Sequence, residues 1–361
     1  MQLFSDTLLE FWNLTDSPLA LDSSFVFSPG ELNIDRFKAI SAQMGSNPML
    51  IQASGGNTSL KQDGILYVKA SGRNLASAYS EDIFAQLPLD IVRKAAAAPS
   101  GAEIDLKPLC NNGLRPSIET TLHALIPHRV VLHSHAIDVI AISLLPHAQI
   151  IIREALEGIG WHWIPYKRPG KRLTKEIAEA LDRQTVDVFI LANHGLVVGA
   201  STPDGAAALQ ADVTHRLRQT VRKYNEVNVS ELSRRISFID GAYLPKADIT
   251  HSLAIDSWSL ELANRNAAYP DHVVFCGVCP WIMNSTANPP TINTSYGLIP
   301  GVGVFLLPAA TAATEAMLQA QAEIFLRIPP NQEINLLSDY ECDELLNWDA
   351  EKYRKALEKS E

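Results

Sequence analysis

The sequence predicts an α/β protein. Short β-branched and apolar runs, such as Val130-Val131-Leu132 and Val186-Asp187-Val188-Phe189-Ile190-Leu191, read as strands. Stretches with apolar residues three and four apart read as helices between them. Turn signals such as Gly45-Ser46-Asn47-Pro48 and Asp63-Gly64 separate the segments. At 361 residues the chain can bury a large core, and its length suggests two domains or one domain with a substantial extension.

Hydrophobic residues make up 47% and charged ones 19%, an ordinary globular balance. A net charge of −10 argues against a general nucleic-acid or anionic-membrane surface, so an anionic substrate needs a local basic or amide-rich pocket. The N-terminus lacks the basic start of a signal peptide, and no apolar run approaches membrane-spanning length. Four cysteines are too few for a disulfide framework in this length. A cytoplasmic protein is expected.

Residues 1–47 read as helix in two pieces. Met49-Leu50-Ile51-Gln52 begins a strand that meets Ser54-Gly55-Gly56-Asn57-Thr58-Ser59-Leu60-Lys61. There the paired glycines allow close backbone approach, and Asn57, Thr58, Ser59 and Lys61 add donors. The segment is either an anion-holding nest or a hairpin turn with polar filler. Asp63-Gly64 leads into strand 65–69 and a second small-residue turn, Ala70-Ser71-Gly72-Arg73, able to face the first. Residues 81–98 carry a helical pattern closing at Pro99-Ser100-Gly101. Arg115-Pro116-Ser117-Ile118-Glu119 then opens a helix, since proline loses no needed amide there and a negative charge meets the helix dipole. Glu119 is either an ordinary acid at a helix start or a carboxylate aimed at a neighbouring strand.

That neighbouring strand, 129–135, ends in His133-Ser134-His135. Side chains alternate across a strand, so His133 and His135 project from one face. Two imidazoles are half of a metal site, and a third nitrogen would leave one position open, the form a catalytic zinc takes. Helix 137–144, strand 161–166 and helix 171–182 follow. Strand 186–192 ends at Asn193-His194-Gly195, an awkward turn for a polar ring unless something binds it. His194 is therefore the third candidate ligand, with a structural histidine as the alternative. His123, His128 and His162 read as structural. Helix 203–224, a candidate linker at 225–233, helix 251–268 and strand 273–275 come next. A Pro/Asn/Thr-rich loop at 280–300, strand 303–307 and helix 309–327 follow. The linker divides the chain into a first domain, 1–230, and a C-terminal α/β extension, 231–361.

Other signals carry little. Cys276-Gly277-Val278-Cys279 has redox or zinc spacing but no second pair, and Gly301-Val302-Gly303 lacks the third glycine of a dinucleotide fingerprint. The acidic end, 339–349, reads as a solvated helix face.

Taken together, Gly55-Gly56-Asn57-Thr58-Ser59, Ser71-Gly72, Pro116-Ser117-Ile118-Glu119, His133-Ser134-His135 and Asn193-His194-Gly195 resemble the class II aldolase/adducin family, over roughly residues 33–225. The stretch 115–135 looks most similar to the aldolase part of rhamnulose-phosphate aldolases fused to a short-chain dehydrogenase. The resemblance implies a three-layer α/β/α fold, zinc or another divalent metal, and a homo-oligomer, usually a tetramer. It matches His133, His135 and His194 to the metal ligands and Glu119 to the catalytic acid/base. Gly56, Asn57, Ser71, Gly72 and Ser117 match the pocket that holds substrate phosphate. It departs at Ile118, where short sugar-phosphate aldolases carry a second hydroxyl residue.

The implied activity is cleavage or formation of a ketose or ketose phosphate through a metal-stabilised enediolate. Glu119 would move the proton, a transfer typically worth about 10² to 10⁴ in rate. The partner is a small sugar or sugar phosphate, with no nucleic acid and no membrane. An epimerase or decarboxylase of the same family, or a non-catalytic adducin-like binding module, are the alternatives.

Overall fold

A computed structural model describes residues 33–98, 105–184, 186–284 and 295–358. The first helical piece expected before residue 33, the stop at 99–101 and part of the 280–300 loop lie outside the described residues. The chain opens with helix α1 (Ile34–Gly45), capped by the Asn33 side chain. Strands β1 (Asn57–Gln62), β2 (Ile65–Lys69) and β3 (Phe84–Pro88) follow, then helices α2 (Leu89–Ala97) and α3 (Thr120–Leu125). Strand β4 (Val130–Ser134) leads to α4 (Ile137–Ser143), α5 (Ala148–Ala155), β5 (Trp161–Ile164) and α6 (Lys171–Leu181). Strands β6 (Val188–Leu191) and β7 (Gly195–Ala200) and helix α7 (Pro203–Arg216) complete this part.

The strands form one seven-stranded sheet in the order β3-β2-β1-β4-β7-β6-β5, antiparallel throughout except for the parallel β5–β6 pair. Alternation along β4 divides the core between the two faces. Val130 and Leu132 pack with Phe37 and Ile40 of α1, Val139 of α4 and Val213 of α7. Val131 packs on the opposite face with Leu122 of α3 and Leu173 and Ile177 of α6. Helices thus cover both sides, giving the expected α/β/α layers. By the same period of two, His133 falls on the Val131 face, toward α3.

The rest of the chain adds α8 (Val229–Ile236), α9 (Ser252–Ile255), α10 (Ser257–Ala263) and α11 (Pro270–Cys276). Strands β8 (Trp281–Ile282), β9 (Tyr296–Ile299) and β10 (Gly303–Leu306) form a second sheet, followed by α12 (Ala312–Leu326), α13 (Asp339–Leu346) and α14 (Asp349–Glu358). Its core includes Ile137, Ile140 and Leu144, so α4 is buried between the large sheet and this C-terminal α/β region. Among the described residues no helix is long and apolar enough to cross a membrane.

Several local expectations differ. Residues 49–52 form no strand but follow a turn at 48–50, because the Leu50 and Ile51 amides donate to the Asn47 carbonyl, each at 2.9 Å. The pattern at 81–98 splits into β3 and α2, since residues 84–88 pair with β2 at the sheet edge. Helix α7 stops at Arg216. Beyond it Gln219 N donates to Asp138 Oδ1 at 2.7 Å and Arg222 N to the Leu326 carbonyl at 2.8 Å, partners a continuing helix would not reach. The candidate linker at 225–233 includes the start of α8, and helix 251–268 is broken into α9 and α10.

The Val273-Val274-Phe275 run is helical, although its side chains favour a strand. Pro270 at the first helical position and Asp271 in the first turn start α11, and all seven of its residues are buried. His272 in this helix lies near the rings of Tyr269 and Tyr296, and neither of its ring nitrogens has a hydrogen-bond partner. Burial lowers its pKa to about 3. Above about pH 6.5 the ring is neutral in both folded and unfolded chains; below that, only the unfolded chain readily takes the proton. The group therefore removes stability as pH falls, on the order of 3 kcal/mol between about pH 7 and about pH 4.5. Urea unfolding of wild type and His272→Phe at those two values is expected to show the variant gaining that much on acidification. An unchanged difference would refute the assignment.

Candidate active site

His133 stands at the end of β4, His135 just beyond it, and His194 in the β6–β7 turn. That turn is tight: Asn193 holds a left-handed φ of 55°, and its side-chain amide donates to the carbonyls of Ala268 at 3.0 Å and Asn335 at 2.7 Å. The three rings converge, with centroids 4.8 to 5.1 Å apart. One ligand nitrogen from each lies within 4.8 Å of the others, and all three residues are buried.

Glu119 caps α3 and faces two of these rings. Its Oε2 is 3.4 Å from His133 Nε2 and its Oε1 3.8 Å from His194 Nε2. Asn57 is aligned with His133 across the β1–β4 ladder and donates from Nδ2 to Glu119 Oε2 at 2.8 Å. His123, expected to be structural, orients that amide: its Nε2 bonds Asn57 Oδ1 and its Nδ1 bonds Ser59 Oγ. A polar chain thus runs from β1 through α3 to the carboxylate.

At neutral pH the carboxylate is ionised and the rings facing it are not. Burial raises the Glu119 pKa, but the facing histidines and the Asn57 amide outweigh it and hold it at about 2. Burial lowers His133 and brings His194 and His123 to about 3, against the pull of Glu119.

His133 Nδ1 lies 3.0 Å from the Leu196 carbonyl, which only accepts, so Nδ1 carries the proton and Nε2 presents a lone pair. That Nε2, His194 Nδ1 and Glu119 Oε1 are buried without hydrogen-bond partners. Three buried imidazoles, each offering a nitrogen within 4.8 Å of the others, are a donor set that fits a divalent ion.

The remaining candidates line one cavity of about 30 Å³. Gly56, Asn57, Ser71, Gly72, Ser117 and Ile118 share it with Glu119, His135 and His194; His133 is not among its lining residues. Ser71 N donates to the Arg115 carbonyl at 2.8 Å, and Ala70 bridges Pro116, which brings the second turn against the 115–119 segment. Pro116 serves this bridge rather than the helix start, which lies at Thr120. Lys61 is not at the site: its Nζ donates to the carbonyls of Ile126 and His128.

Three contributors were not foreseen. Lys69 ties the turns together by donating to the carbonyls of Ser54 at 2.6 Å and Arg73 at 2.8 Å. Asp271 of α11 brings Oδ2 within 3.1 Å of His135 Nδ1, and Arg354 of α14 donates to Asp271 Oδ1 at 3.0 Å. The Asp271–His135 approach is close but off the axis of a hydrogen bond, and both atoms lack an aligned partner. Burial raises the Asp271 pKa, but Arg354 and His135 outweigh it and hold the carboxyl well below its usual range. The Pro270-Asp271 pair does signal a helix start; no local pattern announces that it meets His135.

A mixed sheet flanked by helices thus gathers, at one end, three histidines able to hold a metal ion and a carboxylate beside them. The sequence matches the family model of the class II aldolase and adducin N-terminal domain over residues 38–221, and the chain belongs to that family. The "uncharacterized oxidoreductase YuxG" of Bacillus subtilis (strain 168) is 32% identical over 177 residues, which is 45% of this chain and 25% of that protein. The match thus spans a quarter of that relative's length. The L-fuculose phosphate aldolase of Methanococcus vannielii is 28% identical over 193 residues, 50% of this chain and 88% of that enzyme. Among solved structures, the N-terminal class II aldolase domain of a conserved Thermoplasma acidophilum protein is 28% identical, with a TM-score of 0.47, covering 55% of this chain and 98% of that one.

Proposed function

We propose that this protein is a divalent-metal-dependent aldolase that cleaves or forms a carbon–carbon bond in a ketose or ketose phosphate. The observation that carries the reading is the convergence of His133, His135 and His194 from separate chain segments, with the Glu119 carboxylate beside them. Family membership supports it, as does the likeness to an L-fuculose phosphate aldolase over most of that enzyme's length.

His133, His135 and His194 would hold the ion, zinc or another divalent metal. It would supply the Lewis acidity that stabilises negative charge developing next to the substrate carbonyl. Histidine binds a metal as neutral imidazole, so these ligands would leave the ion's charge undiluted. Glu119, aimed by Asn57 and ultimately by His123, holds or moves the proton at the reacting carbon or hydroxyl. Gly56, Asn57, Ser71, Gly72 and Ser117 supply the amides and hydroxyls that anchor the far end of the substrate, while Ile118 adds apolar surface. Leu357 of α14 lies against Gly72 of this pocket.

The test is to load the purified chain with Zn²⁺ and assay aldehyde release from a panel of ketoses and their 1-phosphates. Cleavage of at least one, abolished by chelation and restored by metal, is expected. Stoichiometric metal with no cleavage anywhere in the panel would overturn the reading.

A further inference from the structure

We propose that Asp271, held in place by Arg354, is the positioning residue for His135, so that the C-terminal α/β region forms part of the metal centre. This rests on the three-histidine reading above. A ligating imidazole has two nitrogens, and whatever meets the outer one sets the ring's tautomer and orientation. For His133 that partner is the Leu196 carbonyl, within the sheet. For His135 the group facing the outer nitrogen is the Asp271 carboxylate, its Oδ2 3.1 Å from Nδ1, from a helix 136 residues later in the chain. An anionic partner also makes the ring a stronger donor than a carbonyl does.

The arrangement is built from several directions. Asp271 and His135 are both buried, with 3% and 4% of their surface exposed. Arg354 donates to Asp271 Oδ1 at 3.0 Å, leaving Oδ2 turned toward the ring, and is itself anchored by Glu351 at 2.9 Å. Gly55 leaves the space for this approach: a Cβ there would lie 2.8 Å from Asp271 Oδ2, 2.9 Å from His135 Nδ1 and 2.8 Å from the Gln52 carbonyl. The glycine's lack of a side chain thus serves both this contact and its own turn, where its amide donates to the Gln52 carbonyl at 2.9 Å. The same region also pins the third histidine's turn, through Asn193 and the carbonyls of Ala268 and Asn335.

The test compares the full metal-free chain with Asp271→Asn, measuring Zn²⁺ affinity by chelator competition and the visible spectrum after Co²⁺ loading. The variant is expected to bind Zn²⁺ about 10- to 100-fold more weakly and to shift the Co²⁺ bands, with the metal-free protein still folded. Wild-type affinity together with a wild-type spectrum would overturn the role. Should Asp271→Asn fail to fold, Gly55→Ala decides, because it wedges a methyl group between ring and carboxylate while keeping every charge. Weaker Zn²⁺ binding by that variant supports the assignment, and unchanged binding overturns it. A wild-type chain that binds no stoichiometric Zn²⁺ overturns the three-histidine reading as well, which separates the two failures.

Discussion

Replacing Glu119 with glutamine is expected to leave the bound metal in place and lower turnover by about 10² to 10⁴-fold. The substitution keeps the side chain's size, and its amide oxygen can still accept the Asn57 Nδ2 hydrogen bond, now made at 2.8 Å. What it removes is the group able to take and return a proton beside the three rings. Ser117 Oγ still accepts from the residue 119 backbone amide at 3.2 Å, so the start of α3 keeps its shape. Metal content by elemental analysis and kcat on whichever substrate the panel identifies separate the two effects. Wild-type turnover in Glu119→Gln would remove this carboxylate from the mechanism.

His133→Ala and His194→Ala should each cost more metal affinity than Asp271→Asn. Deleting a ligand removes a bond to the ion, whereas the roughly 10- to 100-fold cost of an outer-shell change comes only from a ligand held less well. With two imidazoles left, the site drops below the three protein ligands usual for a catalytic zinc. His194→Ala is the cleaner variant, because the Asn193 hydrogen bonds to the Ala268 and Asn335 carbonyls hold the turn without the imidazole. His133→Ala also takes away the contact to the Leu196 carbonyl in the middle of the sheet, so its fold needs checking by circular dichroism. Full stoichiometric Zn²⁺ in a folded form of either variant would dismiss the three-histidine site.

Much of this centre is readable without coordinates. The period of two along a strand puts His133 and His135 together, and the Asn193-His194-Gly195 turn isolates a polar ring between apolar strands. Helix boundaries were less legible. The segment 273–275 is β-branched and aromatic, yet burial of all of α11 outweighs that weak preference. Helix 203–224 ends early because Asp138 and Leu326, distant in the chain, take hydrogen bonds from residues 219 and 222. His123 passed for a packing residue because its role depends on two neighbours in another strand, Ser59 and Asn57.

The amino-acid sequence alone determined the α/β class, the hairpin at Asp63-Gly64 and the His-x-His strand. Each of these is written in side-chain periodicity or in the φ preferences of a few adjacent residues. Only the tertiary structure decided that Asp271 backs His135, that Arg354 holds Asp271, and that Gly55 clears the gap between ring and carboxylate. Those contacts join residues far apart in the chain, and their geometry is set by how α11 and α14 pack beside the large sheet, which no local pattern encodes.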